Sequence, residues 1–339
     1  SGHAEVTTAE AVTSRAVLRQ AEGQAPAGSL GFAASSTRVP SPGDLVLPLA
    51  PRPCLQRAVA AMPGVPAALA ARVEEAAEQL ASGFLRWPAA ATGADFLWGI
   101  DRDGRFEVRD AVGTLLRLEP PLSASSPSAA RHLVARLDHL ARYRNVEALE
   151  NHDPRSSLAG RLELGLGRLP AGYQHGDALD DEPLAAGPGV ATVQAGEWIC
   201  LRIHNRSDRR LHVALLDLTT SWAVRQITAG PAIGGAELVD PRGSLAVPLQ
   251  ASVPAGYPEV RDVLKVLAAP RATSFRWLEL PPLDGTVHRA HREPPADALE
   301  RLFAAVSGTA GPGAAWRDVD APPPRDDWTS ARIVVRVMS

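Results

Sequence analysis

The chain has 339 residues, a formal net charge of −3, 45% hydrophobic and 22% charged residues, the composition of a soluble globular protein of about two domains. So small a charge leaves no electrostatic footprint for nucleic acid or an acidic membrane surface, and no apolar run approaches the roughly 18 residues that a membrane helix needs. Thirty prolines and 28 glycines divide the chain into many short elements joined by turns, as β-rich folds require.

Lys265 is the single lysine, and every other basic residue is a scattered arginine. That bias reflects GC-rich codon usage rather than a phosphate site. The start, "SGHAEVTTAE", has neither a basic n-region nor an apolar h-region, so no signal peptide is expected and the expected location is cytoplasmic. Ser1 in place of an initiator methionine is expected of a cut tag or of processing.

In residues 1 to 66, "SRAVLRQ" and "GDLVLPLA" read as strands and "ASSTRVPSPGD" as a loop. A helix is predicted over 67–83, with Leu69, Val73, Ala76 and Leu80 at helical spacing and Gly83 as its stop. "ADFLWGIDRDGRFEVRDAVGTLLRLEP" reads as three strands, turning at Asp101–Gly104 and Asp110–Gly113. A second helix is predicted over 127–146, capped by serine with Pro127 in its first turn. Leu133, Leu137, Leu140 and Val146 form its apolar face. His132, Arg136, His139 and Arg142 share no metal-ligand pattern with its acids, and they predict a solvated, charged side.

The polar stretch 171–189 is the expected domain boundary or flexible loop. Beyond it, strands of about six residues at 8–12 spacing predict an antiparallel sandwich. "FRWLELPP" continues those strands, a helix is expected near 295–307, and "WTSARIVVRVMS" reads as a buried strand. The predicted fold is therefore α+β, mainly β. It comprises a mixed domain over 1–180 and a sandwich over 187–339, with Trp198, Leu215, Trp222, Val266 and Trp277 in the sandwich core.

Signatures of catalysis are missing. There is no GxSxG elbow, GxxxxGK[ST] loop or HExxH pair. "GSLGFA" and "GLGRLPAG" do not sit in a βαβ context. "DRDGRFEVRD" begins like a calcium loop but has apolar Val108 and no twelfth-position acid, so a hairpin turn is expected. Cys54 and Cys200 have no CxxC or metal spacing, and Cys200 falls among alternating apolar residues as a core side chain. Asp180 and Asp181 read as solvated loop carboxylates. No catalytic, cofactor-binding or metal-binding residue is predicted.

"CLRIHNRSDRRLHVALLDLTTSWAVRQI" and "GSLAVPLQASVPAGYPEVRDVLKVLAAPRATSFRWLELPPLD" resemble the sandwich at the C-terminal end of bacterial caspase-like (metacaspase-type) peptidases. The shared positions are Asn205, Ser207, Leu215 to Leu218, Pro254, Gly256, Asp262, Leu264 and Lys265. "LVARLDHLARYRNVEALENHDPRSSLAGRLEL" is similar to the helix that precedes that sandwich, with His139, Arg142, Tyr143, Arg144 and Asn145 at its centre. "EGQAPAGSLGFAASS" resembles the stretch that follows the protease domain in the same family. The likeness is fairly specific over 94–280 and loose before it.

The family's catalytic His-Gly and Asp-x-Cys-x-Ser-Gly strand ends are absent from this sequence. The resemblance thus implies a non-catalytic interaction or regulatory region whose partner is a caspase-like peptidase, in cis or in trans. Candidate contact loops are "NRSDRR", with Arg206, Arg209 and Arg210, and "PRDDW". An alternative is a separately encoded substrate or inhibitor-like partner in a defence or signalling cascade, cut after Arg289 or Arg292 in "HRAHREPPA", since the family is expected to cleave after basic residues. A third reading, an unrecognised cysteine hydrolase, would rest on Cys54 or Cys200.

Overall fold

A computed structural model of the chain describes residues 3–9, 14–19, 56–88, 93–153, 155–184, 190–285, 294–309 and 327–339. Strands β1 (His3–Ala9) and β2 (Ser14–Arg19) pair as an antiparallel hairpin within a unit of residues 1–49, and the other elements belong to a second unit, residues 50–339. "SRAVLRQ" is thus a strand. "GDLVLPLA" and "ASSTRVPSPGD" lie outside the described residues.

The second unit begins with β3 (Arg57–Ala61), α1 (Ala67–Leu80), β4 (Leu85–Arg86), β5 (Phe96–Ile100), β6 (Phe106–Asp110) and β7 (Leu115–Leu116), which make a sheet of order β4-β3-β5-β6-β7. Its two hairpin turns are built the way their sequences ask. Asp101 Oδ1 accepts the N–H groups of Asp103 and Arg105, and Gly104 takes φ +74°. Asp110 Oδ1 does the same for Val112 and Thr114. The calcium-loop look-alike is a turn. In α1, Leu69, Val73 and Ala76 are buried but Leu80 is 45% exposed, and the helix stops at left-handed Ala81 rather than at Gly83.

Next come α2 (Ala129–Ala148), β8 (Leu162–Arg168), β9 (Glu182–Pro183), β10 (Val190–Gln194), β11 (Trp198–Asn205), β12 (Leu211–Leu218), β13 (Val224–Gln226), β14 (Glu237–Val239), β15 (Ser244–Gln250), β16 (Glu259–Ala269), α3 (Ala298–Ser307) and β17 (Thr329–Met338). One sheet has the order β15-β11-β8-β9. The other has the order β10-β17-β16-β12-β13, with β14 also on β12. The fold is α+β and mainly β. Pairing is antiparallel in the sandwich except between β10 and β17, which run parallel. β8 precedes the expected boundary at 171–189, yet it is a full member of the sandwich through β11.

Side-chain alternation on the central pair decides the layering. Leu211, Val213 and Leu215 of β12, with Leu264, Val266 and Ala268 of β16, face β8 and β11 and build the sandwich core with Leu166, Leu201 and Ile203. Ala214, Leu216 and Leu218, with Val263, Leu267 and Ala269, face the other way. There they join α1, α2, α3 and the first sheet in a second core containing Val73, Trp98, Leu137 and Phe303. Both faces are dry, which is why "VALLDL" and "VLKVLAA" read as nearly continuous apolar runs.

Two of the expected core residues, Leu215 and Val266, are buried in the sandwich. Trp277 is buried but lies in the second core, on a 3₁₀ turn (Phe275–Leu278) where a strand was expected. Three-residue spacing brings Phe275 and Leu278 to one side of that turn, and Pro281 and Pro282 follow closely. Trp198 and Trp222 are only half-buried: Trp198 packs beside Tyr173 and Cys200, and Trp222 packs against the second core.

Residues 169–184, expected as a solvated boundary, instead lie across the outer face of β8 and β11. Leu169 and Tyr173 cover Cys200, and the Tyr173 ring meets Trp198 edge-on at 5.2 Å. Arg202 Nε donates to Asp181 at 2.8 Å and its Nη2 to the Leu179 carbonyl at 2.8 Å, so Asp181 is paired rather than solvated. β8 carries glycine where this strap passes, and a Cβ at Gly167 would sit 1.9 Å from Asp181 Oδ2. Gly167→Ala should therefore lower stability by about 1–3 kcal/mol by overpacking. It should also open residues 169–184 to limited proteolysis, checked by urea unfolding and by mapping the cut.

Candidate interaction surface

The charged residues of α2 do not form a solvated side. Arg131, His132, Ala135 and Ala148 are exposed and the remainder turn into the protein. Arg136 is 4% exposed. Its Nε donates to Asp284 at 3.0 Å and its Nη2 to the Pro120 carbonyl at 2.7 Å. Asp138 accepts from Ser82 and pairs with Arg142 one turn on, at 2.6 Å. Arg57 Nε donates to Asn145 Oδ1 at 3.0 Å, and Arg144 pairs with Glu147 at 2.6 Å. Lys265, 1% exposed, donates from Nζ to the Glu147 carbonyl near the end of the helix at 2.7 Å. Buried polar groups survive only when paired, and here the partners come from the loops and sheets on both sides of the helix.

His139 and Tyr143 fix the turn that follows β12. Trp222 there takes φ +65°, a left-handed conformation that costs a bulky residue on the order of 1–3 kcal/mol. Three contacts hold it. His139 Nε2 donates to its carbonyl at 2.8 Å, its own Nε1 donates to the Arg117 carbonyl at 3.0 Å, and Tyr143 packs edge-on at 5.2 Å. Burial lowers the pKa of His139, with the carbonyl bond opposing, so the neutral imidazole is favoured there.

The loop after β11 carries the predicted contact residues. Buried Asn205 organises it, with Nδ2 donating to the carbonyls of Arg209 at 2.7 Å and Asp240 at 3.0 Å while Oδ1 accepts from Ser207 N and Oγ. Arg206 pairs with Glu163, Arg210 Nε with Asp240 at 2.6 Å, and Arg209 with Asp327 at 3.8 Å. Arg206, Arg209 and Arg210 are thus displayed on one closed turn, each facing an acid across a solvent-exposed gap where the attraction is worth about 0–1 kcal/mol. Arg289 and Arg292 lie outside the described residues, as does Cys54.

Arg209 and Asp327 also line a cleft of about 100 Å³ with Arg271, Thr273, Asp297 and Leu299. A wider cleft of about 340 Å³ lies at the C-terminal end of α2, lined by Arg57, Asp95, Asp110, Val112, Arg144, Glu147 and Arg332 among others. Val112 at its lip is 86% exposed. Sequence reading missed both clefts because each draws its lining from elements far apart in the chain.

Burial also shifts the pKa values of Cys200, Lys265 and Asp217. Burial pushes the Cys200 thiol pKa up, with Asp181 adding to the effect, the opposite of what a nucleophilic thiolate needs. Burial pulls Lys265 down to about 7 and pushes Asp217 up to about 7, with Asp262 contributing to the latter. Among the described residues, no group of three or more His, Cys, Asp or Glu is placed to hold a metal ion, and no helix is long and apolar enough to cross a membrane. No family model, curated protein or solved structure matches the chain.

Asn205→Ala should unfasten the 205–210 turn. The native turn should resist an arginine-specific protease, and the variant should be cut after Arg206, Arg209 or Arg210, read by mass spectrometry. Lys265 gives a pH signature of definite sign. Its folded pKa lies below the unfolded one, so between about pH 7 and 10 the unfolded chain binds more protons and stability rises with pH. Urea unfolding should show that rise in the wild type and not in Lys265→Met.

Proposed function

We propose that this chain is a non-catalytic interaction or regulatory module that works with a bacterial caspase-like peptidase, in the same polypeptide or as a separate partner. The observation that carries the reading is how the residues of the family resemblance are used. His139, Tyr143, Asn145, Asn205 and Lys265 each fasten one part of the fold to another, while Arg142 and Arg144 lie over the rings of Phe84 and Trp222. A motif spent on internal fastening defines a rigid framework rather than an active site, and what the framework offers outward is the Arg206–Arg210 turn and the cleft beside it. Cys200 beneath its strap has neither the access nor the lowered pKa of a nucleophile, which argues against the form of the hydrolase alternative that rests on Cys200.

The test is a pull-down of the whole chain from lysate of its own host, read by mass spectrometry, beside an Arg209→Glu variant. Recovery of a caspase-like peptidase by the wild type, reduced at least several-fold in the variant, is the expected result. Equal recovery by both would move the contact away from this turn. Recovery of no peptidase would overturn the in-trans form of the proposal.

A further inference from the structure

Asp217 and Asp262 stand on neighbouring antiparallel strands. Asp217 is opposite Leu264, which makes Asp262 its diagonal neighbour on the same face of the sheet. Asp217 Oδ1 is shielded from solvent and receives no hydrogen bond among the described residues. Asp262 Oδ1 accepts from both the backbone N–H and the hydroxyl of Thr220, each at 3.3 Å. Thr220 belongs to the turn whose next-but-one residue is left-handed Trp222, the residue gripped by His139 and Tyr143 of α2.

Little positive charge is at hand. On β13, Arg225 pairs in register with Asp217 and is itself exposed, while β17 places Val335 opposite Asp262. Lys265 points to the other face of the sheet, where it is bonded to the Glu147 carbonyl. From α2, Tyr143 lies within electrostatic reach of both aspartates, with Glu147 and Arg144 on either side of its charge balance. His139 is bonded to Trp222 itself. Two neighbouring, largely buried carboxylates with one weak counter-charge favour a proton on one carboxyl over two negative charges.

We propose that Asp217 and Asp262 hold one proton between them, and that its release to solvent as pH rises through neutrality slackens the Thr219–Ala223 turn and with it the seat of α2 on the sheet. The balance is simple: one proton leaves, one negative charge is added to the pair, and no covalent bond other than O–H changes. Burial and the neighbouring carboxylate act in the direction the latch requires, raising Asp217 to about 7. A carboxyl whose folded pKa lies above its unfolded value binds more protons when folded. Its contribution to stability is therefore complete in acid and lost as pH rises through the folded pKa.

The experiment is amide hydrogen exchange across Thr219–Ala223 between pH 6 and 8, corrected for intrinsic exchange, in the wild type and in Asp217→Asn. The wild type should lose protection by about tenfold across that range. The Asp217→Asn variant, whose carboxamide does not ionise, should keep its protection constant. An equal loss in both proteins, or none in the wild type, overturns the latch. Should Asp217→Asn fail to fold, ¹³C NMR titration of the wild-type aspartate carboxyl carbons decides the matter. One of the pair titrating near neutrality supports the latch, and both titrating in the ordinary carboxylate range refutes it.

Discussion

A sheet covered on both faces has no water to satisfy what it buries, so every polar group on it must find a partner inside the protein. The β12–β16 pair is under that constraint, and much of the remaining structure answers to it. Lys265 interrupts an apolar run and reaches the Glu147 carbonyl. Thr228 turns its hydroxyl to the Leu215 N–H at 3.3 Å. Asp262 holds a turn, and Asp217 is left with an oxygen unmet. Of these, Lys265 takes its partner from the neighbouring layer, helix α2.

Helix α2 is the principal supplier. Its apolar side chains fill the second core, and its polar ones reach outward in three directions. Arg136 goes to the Pro120 and Asp284 loops, Asn145 to β3, and His139 with Tyr143 to the turn after β12. The strained backbone at Trp222 persists because several independent contacts over-determine it. A helix so committed to neighbours on all sides holds the loops around it in fixed relation.

The sequence made legible what depends on local chemistry. The Asp and Gly residues at 101–104 and 110–113 specify hairpin turns by side-chain-to-backbone bonds that any flanking strands would allow. The three helices follow from apolar spacing, to within a few residues at their ends. What was hidden depends on pairing at a distance. The charges of α2 and of the 171–184 stretch look solvated one at a time, and only the fold shows that Asp138 meets Ser82, Asp181 meets Arg202 and Arg136 meets Asp284. Trp198, Trp222 and Trp277 could be recognised as apolar, but aromatic size alone does not say which layer a ring will enter. Of the predicted contact residues, Arg206, Arg209 and Arg210 share one turn. The acids they face, Glu163, Asp240 and Asp327, come from three separate segments that composition could not bring together.

The parallel pairing of β10 with β17 carries a consequence for how the chain reaches this state. Val190 meets Val334, a contact closed over roughly 140 residues, and such closure is a slow, entropically opposed event. Until it happens β17 lacks a neighbour on that side, and β10 is a strand with no sheet to join. Both would then expose hydrogen-bonding edges flanked by valines, the kind of surface that pairs with another molecule as readily as with its own. Assembly of this protein is therefore most exposed to misassociation late in folding, at a seam whose two sides come from opposite ends of the sandwich sequence.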